Sequence, residues 1–260
     1  MNLYIGALIG TIFTFLMTVL GSSLVFFTKK DVKEETQKVF LGFAAGVMIA
    51  ASIWSLLLPA MESAELYELP VWIPAGGGFV LGGVFLWMID YLARKYRPRN
   101  LSHGNFLLFS AITMHNIPEG MAVGLAFVAA ATTIETGSML LDKVYAPAVG
   151  LALGIGIQNF PEGAAISLPL KNEGFSKGKA FLYGSLTGVV EPVFGILVTC
   201  AAGWFRPMMP WLLSFAAGAM IYVVADELIP QSQDKHGKGV GTFGVMLGFL
   251  VMMVLDVALG

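Results

Sequence analysis

Long apolar runs recur along the whole chain, with only short polar interruptions between them. They cover about residues 2–28, 37–61, 71–96, 106–131, 146–170, 178–203, 209–230 and 241–259. A helix that crosses a ~30 Å hydrocarbon core needs roughly 20 mostly apolar residues. The pattern therefore predicts an all-α membrane protein of eight transmembrane helices, with residues 1–260 forming one polytopic domain and almost no chain left for a soluble one. The first run has no basic n-region and no small-residue cleavage site followed by polar chain, so it reads as a retained span and not as a signal peptide.

Composition agrees with the pattern. The chain is 57% hydrophobic and 12% charged, against about 45–50% and about 25% in globular domains, and its mean hydropathy is +0.78. Such a composition excludes a water-soluble enzyme with its own core, and also a disordered chain. A net charge of −2 with 15 basic residues implies no nucleic-acid partner. A single cysteine, Cys200, excludes an internal disulfide framework and a thiolate zinc finger.

The basic residues orient the chain. All but two of the 15 fall in the loops after spans one, three, five and seven, namely Lys29, Lys30, Lys33, Lys38, Arg94, Lys95, Arg97, Arg99, Lys171, Lys177, Lys179, Lys235 and Lys238. By the positive-inside rule these loops are cytoplasmic, and both termini then lie outside. The opposite side holds only Lys143 and Arg206, facing Glu62, Glu65, Glu68, Glu135 and Asp142. Those acids read either as solvated loop residues or as a negative mouth that concentrates cations.

Spans four and five carry two copies of one hexapeptide: His115-Asn116-Ile117-Pro118-Glu119-Gly120, and Gln158-Asn159-Phe160-Pro161-Glu162-Gly163. In this topology the two spans run antiparallel, so the copies can face each other across an axis in the membrane plane, as in many transporters with binding sites at the midplane. Residues three or four apart share a helix face. His115, Asn116 and Glu119 thus point one way on span four, and Gln158, Asn159 and Glu162 do so on span five. Pro118 and Pro161 leave the carbonyls of Met114 and Ile157 without their helical donors and predict kinks. Gly120 and Gly163 let a neighbouring helix approach closely.

Span six adds Glu191, about halfway along and directly before Pro192. Three ionised carboxylates at the bilayer centre cost about 8–10 kcal/mol even on the lenient insertion scale, which rivals the whole stability of an ordinary fold. Spans four and five contain no Lys or Arg, and span six has only Lys179 at its edge. A metal ion or a proton is the economical compensation. For one amide alone, interhelical glue explains the residue equally well; for His115, Asn116, Glu119, Gln158, Asn159, Glu162 and Glu191 together, a metal site explains more. Oxygen donors with one imidazole suit zinc, iron(II), manganese or cadmium better than copper(I). Three carboxylates and three amides exceed the needs of one four-coordinate ion, so two adjacent cations bridged by Glu119 and Glu162 are expected.

These motifs resemble those of the ZIP (Zrt/Irt-like) family of divalent metal transporters, especially its bacterial GufA-like branch. The resemblance covers essentially the full chain. It implies a 3+2+3 arrangement in which spans one to three are related to spans six to eight by inverted symmetry, and a two-metal site on spans four to six. Carried over by position, His115, Glu119, Gln158 and Glu162 correspond to one site. Asn116, Asn159 and Glu191, with the shared Glu119 and Glu162, correspond to the second. Met48, Ser55 and Glu62, seven apart on span two, resemble the family's inlet route for metal; a heptad stripe by itself is more often packing. Asp226, Glu227 and His236 resemble an exit-side metal site, and also read as a helix end with solvated charges. Many members carry a second histidine in span five where this chain has Gln158 and its neighbours, and a histidine-rich third loop where it has only His103. Asp256 has no function assigned by sequence.

The function expected is transport of divalent transition metals, zinc first and then cadmium, iron or manganese, from outside into the cytoplasm, by elevator-like alternating access. The zinc ion is substrate, with two ions per chain, in the plasma membrane (the inner membrane of a bacterium). Partners are metal ions and lipid, with a homodimer as the candidate assembly. The alternatives are a metal-selective channel and an intramembrane metalloenzyme; the latter lacks H-E-x-x-H and has no use for a second, inverted motif.

Overall fold

The structure is a computed structural model that describes residues 3–27, 34–68, 70–95, 103–135, 141–172, 174–204, 206–233 and 239–259. Among these residues every regular element is helical, which is what a long apolar run must become in lipid, where no water satisfies backbone N–H and C=O groups. The principal helices are α1 (Leu3–Ser22), α2 (Glu34–Ala51), α3 (Leu58–Leu66), α4 (Trp72–Lys95), α5 (His103–Glu135), α6 (Leu141–Asn172), α7 (Lys177–Thr187), α8 (Val190–Trp204), α9 (Met209–Val223) and α10 (Val240–Leu259).

Six stretches, Tyr4–Phe27, Glu35–Leu66, Trp72–Leu92, Lys177–Ala202, Met209–Ser232 and Val240–Ala258, are long and apolar enough to cross a membrane. The chain is an integral membrane protein. Helices α5 and α6, at 33 and 32 residues, also exceed the length of a crossing, and their apolar character is interrupted by the two motifs.

Three irregularities depart from the expected smooth rods. Between α2 and α3 the helix passes through a π-helical turn, Ser52–Leu57, closed by the Leu58 N–H on the Ile53 carbonyl. A second π-turn, Val224–Leu228, follows α9 and is closed by the Ile229 N–H on the Val224 carbonyl. Each wide turn is followed by a Leu58-Pro59 or Ile229-Pro230 step. A proline ring collides with the carbonyl four residues back, and widening the preceding turn moves that carbonyl aside. The third irregularity falls at Gly188 and Val189, where the run that starts at Lys177 passes through turns bonded three residues back, Gly188 N–H on the Ser185 carbonyl and Val189 N–H on that of Leu186, and restarts as α8. By contrast, α5 and α6 continue as helix through Pro118 and Pro161.

Four close helix pairs build the molecule: α1 on α6, α5 on α8, α2 on α10, and α4 on α9. Small residues set the separations, as expected where lipid offers no hydrophobic drive and backbones must approach for packing. A Cβ on Gly21 would overlap the backbone of Phe160, and one on Gly124 the backbone of Gly195. Gly42 and Gly46 meet the α10 backbone in the same way, and Gly82 meets that of Phe215. The outward faces carry large apolar side chains, among them Leu16, Val80, Trp87, Leu197, Phe243 and Val257, all exposed. The interior holds both an apolar core and a set of buried polar side chains, while the outward faces are apolar, as a lipid-facing surface requires.

Candidate metal centre

Helices α5 and α6 bring the two hexapeptides together in the buried interior. Asn116, Glu119, Gln158, Asn159 and Glu191 have no exposed surface, and Glu162 is 6% exposed. The side chain of His115 lies outside the described residues. The motif glycines fix the spacing of the ligand-bearing helices. A Cβ on Gly120 would collide with the backbone of Glu191 on α8, and one on Gly163 with the Thr18 carbonyl on α1.

Glu191 does not sit in mid-helix. It lies in the first turn of α8, with its N–H on the Gly188 carbonyl at 3.1 Å. Backbone N–H groups in a first turn have no intrahelical acceptor, and the positive end of the helix dipole favours an anion there. Pro192 is tolerated because its missing N–H would have been unpaired in that turn.

The hydrogen bonds join the two motifs to α8. Gln158 Nε2 donates to Glu119 Oε1 across the α5–α6 contact. Asn159 Nδ2 donates to Glu191 Oε2 at 2.9 Å and to the Thr14 carbonyl at 3.2 Å. Thr18 Oγ1 donates to Glu191 Oε1 at 3.2 Å.

What stays unpaired defines the chemistry. Asn116 Oδ1, Glu119 Oε2, Gln158 Oε1, Asn159 Oδ1 and both carboxylate oxygens of Glu162 are buried acceptors without a hydrogen-bond partner. Leaving one buried polar group unsatisfied costs about 1–3 kcal/mol, and more when charged; beside these acceptors Asn116 Nδ2 is an unpaired donor, so the set is rich in oxygen lone pairs open to a ligand. Among the described residues, which leave out the His115 side chain, no three His, Cys, Asp or Glu side chains are gathered tightly enough to hold an ion by themselves. A hard or borderline divalent cation fits this donor set.

The remaining predicted residues separate. Met48 is fully buried in the apolar core. Ser55, in the first π-turn, and Glu62, on α3, line one cavity of about 440 Å³ with Trp54, Pro147 and Asp256. Ser55 Oγ donates to Asp256 Oδ1 at 2.6 Å, while Asp256 Oδ2 is buried without a partner. Asp226 is exposed and Glu227 half-buried, both in the second π-turn; His236 lies outside the described residues. Sequence reasoning missed Asp256, whose partner is 201 positions away. It also missed the buried polar stripe Thr11, Thr14, Thr18 and Ser22 on α1, although the three- and four-residue spacing on an otherwise apolar span was a visible signal.

Residues 100–256 match the ZIP Zinc transporter family. The chain is 36% identical to zinc transporter ZIP11 of Xenopus tropicalis over 98% of this chain and 97% of that protein. It is 33% identical to zinc transporter GufA of Myxococcus xanthus over 94% of each, and 33% identical to zinc transporter ZIPB of Bordetella bronchiseptica over 98% of this chain and 81% of that protein. With two copies of the motif facing each other in a buried nest of oxygens, and with likeness of this extent, the chain belongs to the ZIP family of metal transporters.

Proposed function

We propose that this protein carries divalent transition-metal ions, zinc first and cadmium, iron(II) or manganese after it, from outside into the cytoplasm. Membership in a family of transporters sets aside the metalloenzyme reading. The observation that carries the proposal is the cluster of six unpaired buried oxygens contributed by Asn116, Glu119, Gln158, Asn159 and Glu162. Two ions share it. His115, Glu119, Gln158 and Glu162 hold the first; Asn116, Asn159 and Glu191 hold the second, with Glu119 and Glu162 bridging.

The chain crosses the membrane eight times in a 3+2+3 order with both termini outside, in the plasma membrane. The close helix pairs support this order: exchanging the first three spans for the last three, and α5 for α6, turns the α1–α6 pair into α5–α8 and the α2–α10 pair into α4–α9. The two π-turns, each with its following proline, correspond under the same exchange. Ions enter by the cavity of Ser55, Glu62 and Asp256 and leave past Asp226, Glu227 and His236.

Transport proceeds by alternating access, with α1, α5, α6, α7 and α8 moving as one body against the rest. Backbone-to-glycine contacts support this division. Gly21, Gly120, Gly124 and Gly163 clamp helices within the first body, and Gly42, Gly46, Gly82 and Gly218 within the second. Where Gly154 of α6 meets α10, it faces the side chains of Met252 and Leu255 instead of backbone, a contact that can slide. The test is zinc uptake by proteoliposomes. Saturable uptake that vanishes in Glu162→Ala is the expected result; wild-type flux in a folded Glu162→Ala protein overturns the proposal, and flux that never saturates points to a channel.

A further inference from the structure

We infer that Thr18 is a positioning residue for the second metal ion: its hydroxyl holds the Glu191 carboxylate in the orientation that presents it to an ion shared with Asn159. The inference rests on the two-ion reading above.

Helix α1 brings no carboxylate to the centre, yet it touches the centre more closely than a bystander needs to. Thr18 is 1% exposed. Its Oγ1 lies 3.4 Å from the Thr14 carbonyl, the ordinary resting place of a helical threonine hydroxyl, and 3.2 Å from Glu191 Oε1, 173 residues away. One hydroxyl has one proton, and a carboxylate is the stronger acceptor, roughly doubling the strength of the bond. The neighbouring Thr14 hydroxyl donates to the Thr11 carbonyl of its own helix at 3.0 Å. Glu191 is therefore held from two sides, Oε1 by α1 and Oε2 by Asn159 Nδ2 at 2.9 Å. Each oxygen keeps a second lone pair for a cation.

The packing gives the contact a place in the design. Gly120 of the first motif presses on the backbone of Glu191, and Gly163 of the second presses on the backbone of Thr18. Thr18 thus stands to the second motif as Glu191 stands to the first, one position a ligand and its counterpart a hydroxyl. The two counterparts meet in a hydrogen bond across the centre. Ser22 reinforces the arrangement by donating to the Gly163 carbonyl at 3.2 Å.

A threonine that merely glued helices together would, when lost, loosen the fold and both ions alike. A positioning residue weakens the second ion alone, by about 10–100-fold, the usual cost of losing a hydrogen bond to a metal ligand. The experiment is zinc titration with direct metal counting on the full chain in lipid nanodiscs, comparing wild type, Thr18→Val, Thr18→Ser and Glu191→Gln, each checked for folding by thermal melting. The expected result is that Thr18→Val keeps the first zinc at wild-type affinity and weakens the second at least tenfold, while Thr18→Ser restores it to within about threefold. A second zinc lost in Glu191→Gln but unchanged in Thr18→Val overturns the role of Thr18 and leaves the two-ion reading standing. Equal weakening of both zincs, or no rescue by serine, overturns it as well. Two zincs retained in Glu191→Gln overturn the two-ion reading and this inference together.

Discussion

The side-chain amide of Asn159 donates to the carboxylate of Glu191 at 2.9 Å, tying the second hexapeptide to the first turn of a half-helix. The bond leaves Asn159 Oδ1 unpaired and buried, so on the two-ion proposal the same amide orients one ligand and offers another. Asn159→Ala removes both functions. Its second zinc is expected to bind about 100-fold more weakly, at the upper end for a lost supporting contact, with the first zinc retained. Metal counting on the purified variant checks this, and loss of both ions would contradict the division into two sites.

Gln158 occupies a position where imidazole would suit zinc better than an amide does. Gln158→His is expected to raise the preference for zinc over manganese by about tenfold, equivalent to ~1.4 kcal/mol. Competition of each metal against radioactive zinc in proteoliposomes measures the ratio. An unchanged ranking shows that selectivity is set elsewhere.

The motif glycines act through distance. Gly120→Ala and Gly163→Ala each place a Cβ into neighbouring backbone and are expected to destabilise the protein by about 1–3 kcal/mol and to lower zinc affinity by shifting α8 or α1. Gly76→Ala, where nothing lies within 4 Å, is the control and is expected to be neutral or slightly stabilising, since alanine is the better helix former. Thermal unfolding in detergent distinguishes them.

Glu119, Glu162 and Glu191 are buried, and the two-ion proposal makes zinc a ligand of the folded chain. Zinc at a hundred times its dissociation constant is expected to raise stability by about 2.7 kcal/mol, and a chelator to reverse the gain. In Glu119→Gln/Glu162→Gln the shift is expected to disappear, because the bridging charges are gone. A zinc-dependent melting shift that survives this double variant would place the stabilising ion elsewhere.

Asp256 and Ser55 share a cavity with Glu62, and on the proposed inlet reading its two carboxylates draw cations in. Asp256→Asn is expected to raise the KM for zinc by roughly tenfold with little change in kcat and no change in the number of zincs bound at the centre. The effect should shrink in high salt, since screening weakens long-range attraction. A fall in kcat with an unchanged KM would remove Asp256 from the inlet.

That residues 115–120 and 158–163 belong together in the interior was legible because a polar hexapeptide has no ordinary reason to occur twice in membrane-spanning chain. The break before Glu191 was written in Gly188 and Pro192, a stop followed by a permitted start, but it is hidden when the apolar run is read as one continuous span. The π-turns escaped notice because Pro59 and Pro230 allow several accommodations, a kink among them, and only the surrounding packing selects one. Asp256 and Thr18 were opaque for a different reason. Each acquires its meaning from a partner on a distant helix.

What the sequence by itself determined was the solvent and the problem to be solved: runs of apolar residues demand lipid, and carboxylates within them demand a proton, a basic partner or a bound cation. What only the tertiary structure decided was which oxygens remain unpaired and which are spoken for. Hydrogen bonds between helices depend on rotation and separation to within a fraction of an ångström, and those are set by how glycines on one helix seat against the backbone of another, an arrangement no local pattern contains.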